Sequence, residues 1–153
     1  MFNQIAQTIP YQQITVEGFE ISIKRLDLVH PHISGNKFFK LKYNLLAARQ
    51  QGYKKLLTFG GAYSNHIAAT AYAAQLFGFE SQGIIRGEEL TSKALNATLS
   101  TAQQFGMQLQ FVTREAYRQK QSPAYLAQLQ QDYPEYYVIP EGGTNPLAIQ
   151  GCT

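Results

Sequence analysis

The sequence predicts an α/β fold in which a parallel sheet is flanked by helices on both faces, giving three α/β/α layers. Short apolar runs alternate with longer amphipathic or alanine-rich segments along most of the chain. The predicted helices end at glycines, as at Gly52, Gly78 and Gly106, and the connections between elements are short. Strands joined through helices by short loops lie parallel, and a parallel sheet needs cover on both faces.

The elements follow in chain order. Alternating polar and apolar residues over 20–26 predict an edge strand, and residues 38–51 predict a helix with leucines near one face. Proline in a helix interior removes a hydrogen bond, so Pro123 interrupts the later helical stretch. The remaining predicted elements are a strand at 56–59, a helix at 65–77, a strand at 80–85, a helix at 94–105, a strand at 108–112, helical residues over 114–131 and a strand at 136–139.

Lys37 stands directly after the turn Ser34-Gly35-Asn36 and opens an apolar-periodic run. Glycine allows a tight turn and asparagine caps helices well, so we expect this lysine near a helix N-terminus. The helix dipole disfavours a positive charge there, which lowers the pKa of the amine. A neutral amine can attack an aldehyde to form a Schiff base. The same spacing is also typical of a solvated lysine at an ordinary helix start.

A second motif follows the short apolar run at 55–59, which is typical of a buried parallel strand. Gly60-Gly61 predicts a turn, and Ser64 and Asn65 are both good N-cap residues for the alanine-rich helix behind them. Free backbone N–H groups at such a helix start bind a phosphate or a carboxylate. With His66, the motif offers a hydroxyl, an amide and an imidazole. The alternative interpretation is a capped helix with one surface histidine.

The two motifs together resemble the 1-aminocyclopropane-1-carboxylate deaminase and D-cysteine desulfhydrase family, which are pyridoxal-phosphate enzymes of the tryptophan-synthase-β type (fold type II). The resemblance runs from about Lys24 to the last residue. The segments that carry it are Arg25-Leu26-Asp27-Leu28 with His30-Pro31, Gly35-Asn36-Lys37 with Lys40-Leu41, Gly60-Gly61 with Ser64-Asn65-His66, and Ile139-Pro140-Glu141-Gly142-Gly143-Thr144-Asn145.

The resemblance implies roles toward pyridoxal 5′-phosphate. Lys37 matches the lysine that holds the cofactor as a Schiff base. Asn65 matches the asparagine that hydrogen-bonds the 3-hydroxyl of the pyridine ring, and Lys40 matches a lysine near the cofactor phosphate.

On the substrate side, Ser64 matches a serine near the substrate carboxylate, proposed as a nucleophile or proton-transfer partner. His66 stands where desulfhydrase-like members carry histidine and typical deaminases carry glutamine, and the loop 142–145 borders the pocket. The implied reactions convert a D-cysteine-like substrate to pyruvate, sulfide and ammonia, or the cyclopropane substrate to 2-oxobutanoate and ammonia. Histidine at position 66 favours the first.

The chain is too short to contain every part of the enzyme that the resemblance implies. Family members are about twice as long as these 153 residues, so we expect an N-terminal half that is inactive alone. The resemblance implies that 1–38 begin a large cofactor domain, that 39–138 form a small α/β domain and that 139–153 start the return to the large domain. The glycine-rich phosphate loop and the partner of the pyridine nitrogen lie downstream in the family. Apolar surface left open seeks a partner, and we expect a homodimer of the enzyme.

Composition excludes several other classes. No apolar run is long enough to span a membrane, and no secretory signal or disulfide framework is evident. The formal charge of +3 is too small and too scattered for nucleic acid, and no metal site is predicted. The expectation is a cytoplasmic protein that binds a small amino acid. Two alternatives stay open, a non-catalytic α/β anion-binding module and a structural fragment without a ligand.

Overall fold

The computed structural model describes residues 1–153, which form a small hairpin and a larger α/β unit. The strands are β1 (Tyr11–Val16), β2 (Phe19–Lys24), β3 (Lys55–Gly61), β4 (Glu80–Arg86), β5 (Met107–Val112) and β6 (Tyr136–Ile139). The helices are α1 (Asn36–Gln50), α2 (Asn65–Phe77), α3 (Ala97–Gln104), α4 (Arg114–Arg118), α5 (Pro123–Asp132) and α6 (Pro146–Cys152). No helix combines the length and the apolar character needed to cross a lipid bilayer.

The main sheet has four strands in the order β5-β4-β3-β6, and every neighbouring pair is parallel. Strand β3 is central and pairs with β4 along its full length, from Lys55 opposite Glu80 to Gly61 opposite Arg86. The carboxyl ends of all four strands therefore meet at one edge. In α/β folds this edge is where ligands bind.

Apolar side chains cover both faces of the sheet. On one face, Leu56 and Ile85 pack with residues of α1, α2 and α3. On the other, Leu57, Phe59 and Ile84 pack with residues of α4 and α5. Because successive side chains of a strand point to opposite faces, Leu56 and Leu57 serve different cores. The arrangement confirms the predicted three-layer α/β/α fold.

The predicted bounds are confirmed at both ends for α2 and β6, where caps and turns are strong. Helix α3 begins three residues later than predicted, because the Asn96 side chain accepts a hydrogen bond from Leu99 N and so sets the N-terminus. Ser122 caps α5 in the same way. Helices α4 and α5 are therefore separate, which confirms the interruption predicted at Pro123.

The strand predicted at 20–26 is β2, which ends at Lys24 and lies outside the main sheet. Its antiparallel partner β1 was not predicted, because Tyr11–Val16 has no continuous apolar run. The 3-10 turn at Leu26–Leu28 takes up the end of the predicted strand.

Candidate active site

Lys37 is the second residue of helix α1, which begins at Asn36, two residues earlier than predicted. The expected position of this lysine near a helix N-terminus is therefore confirmed. The side chain is half-buried, and its amine Nζ donates a hydrogen bond to the Gly142 carbonyl oxygen at 3.3 Å. These two residues are 105 positions apart in the sequence. The fold therefore brings the lysine motif and the 142–145 loop together.

The pKa of Lys37 lies below the usual lysine value, so the predicted direction is confirmed. The largest cause is burial of the amine, followed by the nearby positive charge of Lys40, while Cys152 acts in the opposite sense. Burial, rather than the helix dipole expected from the sequence, is therefore the main cause of the lowered pKa. Burial removes water from the charged form and so increases the neutral fraction at a given pH.

Helix α1 holds the loop 142–145 along one face, with three side chains at spacings of three and four residues. Beyond Lys37, the Lys40 amine donates to the Thr144 hydroxyl at 3.0 Å. Asn44 and Asn145 exchange two amide hydrogen bonds, at 3.2 and 2.7 Å. Asn145 also accepts from Ala148 N at 2.9 Å and so caps α6. We call the two amide hydrogen bonds between Asn44 and Asn145 the asparagine clasp.

The turn between β3 and α2 closes tightly over Gly60. A Cβ atom at this position would clash with the Ile67 side chain and lie 2.9 Å from the Ser64 hydroxyl oxygen. Ser64 is the N-cap of α2 and accepts from Ile67 N at 3.4 Å. The cap engages an oxygen lone pair, which leaves the hydroxyl hydrogen available to another acceptor.

His66 is buried, with 2% of its surface exposed, so the alternative of a surface histidine is wrong. Its Nε2 lies 2.8 Å from the Thr58 hydroxyl oxygen. Thr58 donates its own hydrogen to the Ile139 carbonyl at 2.8 Å, so the hydroxyl accepts from His66 Nε2–H. The lone pair of the neutral ring is then on Nδ1, which is buried and has no partner.

The neutral state of His66 follows from its surroundings. Burial, and then the positive charges of Lys37 and Lys40, lower the pKa of His66 to about 3. Gly143 lies between this ring and α1, where a Cβ atom would be 3.3 Å from His66 Cε1 and 3.5 Å from Lys40 Cβ. Because Gly143 has no side chain, His66 and Lys40 can approach it from opposite sides.

A pocket of about 210 Å³ brings Lys37 and Asn65 together. His32 and Ser34 also line it, whereas Ser64 and His66 do not. The exposed Asn65 amide opens helix α2, next to the backbone N–H groups of its first turn. A larger pocket of about 410 Å³ lies at the amino end of β3 and contains none of the predicted site residues.

His32 lines this pocket although its role was not predicted from the sequence. Its backbone N–H and that of Ile33 both donate to His30 Nδ1 at 3.1 Å, and its ring packs on Tyr72 at 4.4 Å between centroids. The His30-Pro31-His32 segment contained the signal, since two histidines flank a proline just before the lysine motif.

Comparison with solved structures places this fold among known enzymes. An ACC deaminase homologue has a TM-score of 0.77 and 28% sequence identity, over 96% of this chain and 46% of the other. A hydrogen sulfide-producing enzyme of Fusobacterium nucleatum has a TM-score of 0.63 at 13% identity, over 90% of this chain and 43% of the other. The chain therefore has the α/β fold of a class of enzymes that includes a deaminase homologue.

Comparison with curated sequences is more specific, although no protein-family model matches the chain. A Thermotoga maritima protein provisionally named 1-aminocyclopropane-1-carboxylate deaminase is 35% identical over 88% of this chain and 43% of its own length. The bifunctional D-cysteine desulfhydrase/1-aminocyclopropane-1-carboxylate deaminase of Arabidopsis thaliana is 32% identical over 88% of this chain and 35% of its own length. The D-cysteine desulfhydrase of Serratia proteamaculans is 29% identical over 88% and 42%.

The chain is thus similar to the N-terminal part of proteins named 1-aminocyclopropane-1-carboxylate deaminase and D-cysteine desulfhydrase, which confirms the resemblance drawn from its motifs. It spans 35–43% of the length of these three relatives.

Proposed function

We propose that this chain supplies the cofactor lysine of a pyridoxal-phosphate enzyme that removes ammonia from a small amino acid. The observation that carries the proposal is the half-buried amine of Lys37, with its lowered pKa, in a pocket shared with Asn65 at the start of α2. The names of the curated relatives support the reaction class. Since the chain spans less than half of those relatives, activity is proposed for a protein that contains both parts.

The residues present fit pyridoxal phosphate. When bound, this cofactor withdraws electrons from the α-carbon of an amino acid. Lys37 would bind its aldehyde and, once released, would hold or move a proton at Nζ. Asn65 would donate from its amide to the ring hydroxyl, and Lys40 would interact with the phosphate. The donor set is suited to this group, because an amine of lowered pKa, an amide and helix N–H groups meet at one pocket.

The proposed substrates are D-cysteine, which would give pyruvate, sulfide and ammonia, and 1-aminocyclopropane-1-carboxylate, which would give 2-oxobutanoate and ammonia. Ser64 and the first N–H groups of α2 bind the substrate carboxylate in this proposal. His66 acts from beneath the helix start, because its ring bonds to Thr58 rather than lining the pocket. Histidine at this position favours the D-cysteine reaction.

The proposal extends to the domain organisation. Residues 1–38 begin the large cofactor domain, 39–138 form the small domain, and 139–153 return to the large one. The complete enzyme is proposed to be a homodimer that acts on a small amino acid.

Borohydride trapping tests the cofactor lysine directly. Excess pyridoxal phosphate followed by borohydride should label Lys37 in preference to the other lysines, because its lowered pKa provides more neutral amine. Peptide mapping by mass spectrometry locates the label, and Lys37→Arg should abolish the preference. Lys42→Arg is the matched control, since Lys42 lies on the same helix over the Tyr43 ring. Preferential labelling of Lys40 or Lys42 would contradict the assignment.

Product assays test the reaction. A protein that includes the second part should release pyruvate from D-cysteine or 2-oxobutanoate from the cyclopropane substrate, and Lys37→Ala should remove that turnover. The 153 residues alone should bind the cofactor weakly and turn over neither substrate. Robust turnover by a preparation whose mass corresponds to these residues only would overturn the two-part proposal.

A further inference from the structure

The carboxyl edge of the sheet carries a second pocket, of about 270 Å³, that is rich in positive charge. Four of its lining residues are basic, Arg86, Arg114, Arg118 and Lys120, and the other two are Tyr117 and Glu141. We infer that this pocket binds a small oxyanion, a carboxylate or phosphate group, at a site separate from the Lys37 pocket. This inference goes beyond the proposed enzymatic activity and does not depend on it.

Topology explains why these residues meet. Arg86 is the last residue of β4 and pairs in register with Val112, the last residue of β5. Helix α4 follows β5 directly and carries Arg114, Tyr117 and Arg118 to the same edge. Glu141 arrives there from the end of β6, on the far side of β3. Three parallel strands therefore deliver the pocket residues from distant parts of the sequence.

The charges of the pocket are not balanced internally. Arg114 is paired with Glu89 at 2.6 Å, and Lys120 is paired with Glu141 at 3.2 Å. Arg86 and Arg118 have no carboxylate within ion-pair distance. Four cations face a single carboxylate in the lining, so the pocket attracts a further anion. Guanidinium groups suit this task because they bind carboxylate and phosphate oxygens in pairs.

Tyr117 fixes two of the cations in place. The Arg86 guanidinium carbon lies 5.9 Å from the ring centroid, and the Lys120 amine lies 4.5 Å from it. The ring is buried, and its hydroxyl donates to Glu141 Oε1 at 2.6 Å. Cations held over an aromatic ring lose less side-chain freedom when an anion arrives, which favours binding.

The pocket adjoins the candidate active site through two segments. A Cβ atom on Gly61, in the turn before α2, would lie 3.7 Å from Arg86 Nη2. Glu141 directly precedes Gly142, whose carbonyl accepts the Lys37 hydrogen bond. The oxyanion can therefore belong to a free anion or to the far end of a ligand that extends from the neighbouring pocket. The chemistry is the same in both cases.

Nuclear magnetic resonance on the 153-residue chain tests the inference without cofactor. Inorganic phosphate and, separately, succinate are titrated while the Arg86 and Arg118 Nε–Hε signals and the backbone amides of 113–120 are followed. Saturable shifts centred on these groups are expected. Arg86→Gln and Arg118→Gln should each lower the affinity for the more tightly bound of the two anions about tenfold, because each variant loses a charged hydrogen bond.

Lys54→Gln is the charge-matched control, because Lys54 lies at the amino end of β3 and should leave the affinity unchanged. Tighter succinate binding would identify a carboxylate ligand, and tighter phosphate binding a phosphate group. Shifts that never saturate, an equal loss of affinity in the Lys54 variant, or shifts centred on Lys37 and Lys40 would each overturn the inference.

Discussion

The β1–β2 hairpin contains seven β-branched or aromatic residues and strand β3 only two, yet β3 is the buried segment and the hairpin the exposed one. From Leu56 to Gly60 every residue of β3 is buried, and its side chains serve two cores. Every residue of β2 is exposed, including Phe19 at 73%. On the hairpin, Phe19 lies opposite Val16 and Ile21 opposite Ile14, which gives one apolar face and one polar face. Burial, rather than strand propensity, therefore decides how much each segment contributes to stability.

The largest expected effect is in the core beneath β3. Leu57→Ala should lower the free energy of unfolding by about 2–5 kcal/mol, because Leu57 is fully buried and its loss leaves a cavity. Urea denaturation followed by circular dichroism measures the change. Leu126→Ala is the control, since Leu126 is 41% exposed and should cost far less. Equal costs for the two variants would refute the burial argument.

The polar chain through Thr58 gives the next largest effect. Thr58→Val should cost about 1–3 kcal/mol, because His66 Nε2–H and the Ile139 carbonyl both lose their buried partner. Thr58→Ser keeps the hydroxyl and should retain the His66 tautomer, which ¹⁵N chemical shifts of the ring identify. A Val variant with unchanged stability and unchanged ring shifts would contradict the assigned hydrogen bonds.

His66 also predicts a pH dependence. Its pKa of about 3 in the folded state lies below the ordinary value of 6.5, so the unfolded chain takes up the proton first as the pH falls. The stabilisation is complete above about pH 6.5 and declines toward pH 3, with a slope of about 1.4 kcal/mol per pH unit. His66→Gln should lack this component of the slope, as denaturation at several pH values will test. Parallel pH profiles for the two proteins would exclude a neutral buried His66.

The smallest effect is expected on the hairpin. Phe19→Ser should change the free energy of unfolding by less than about 0.5 kcal/mol, because the Phe19 side chain is exposed and belongs to no buried core. Sedimentation at several protein concentrations measures the oligomeric state and so shows whether a second copy of the chain covers the hairpin. A large loss of stability, together with dissociation of an oligomer, would mean that a second copy covers the apolar face.

The same contrast explains what the sequence could predict. Helix α2 was predicted to the residue because Ser64 caps its start and Gly78 takes a left-handed conformation with φ of 74° at its end. Lys37 and Asn65 were assigned to one site because their two motifs together resemble the deaminase and desulfhydrase family. The hairpin partner β1 was missed because its polar residues carry no burial pattern.

The environment of His66 also could not be predicted. Its ring is buried through contacts with Thr58 and Gly143, which lie eight residues before it and far beyond it in the chain. The local sequence around His66 cannot predict contacts with residues so distant in the chain. The anion pocket was missed for the same reason, since residues 114–120 look like a solvated basic segment until Arg86 and Glu141 are brought beside them.

The asparagine clasp has a consequence for how the protein is made. Its two amide bonds join residues 101 positions apart, and the Lys37 contact spans 105. During synthesis α1 emerges early, but the loop that positions its lysine follows only after β3, α2, β4, β5 and β6. Contacts of such long sequence separation form slowly. The nascent chain therefore carries a Lys37 amine without its loop contact until residue 145 has left the ribosome, and the candidate site assembles only after the four strands of the main sheet have been made.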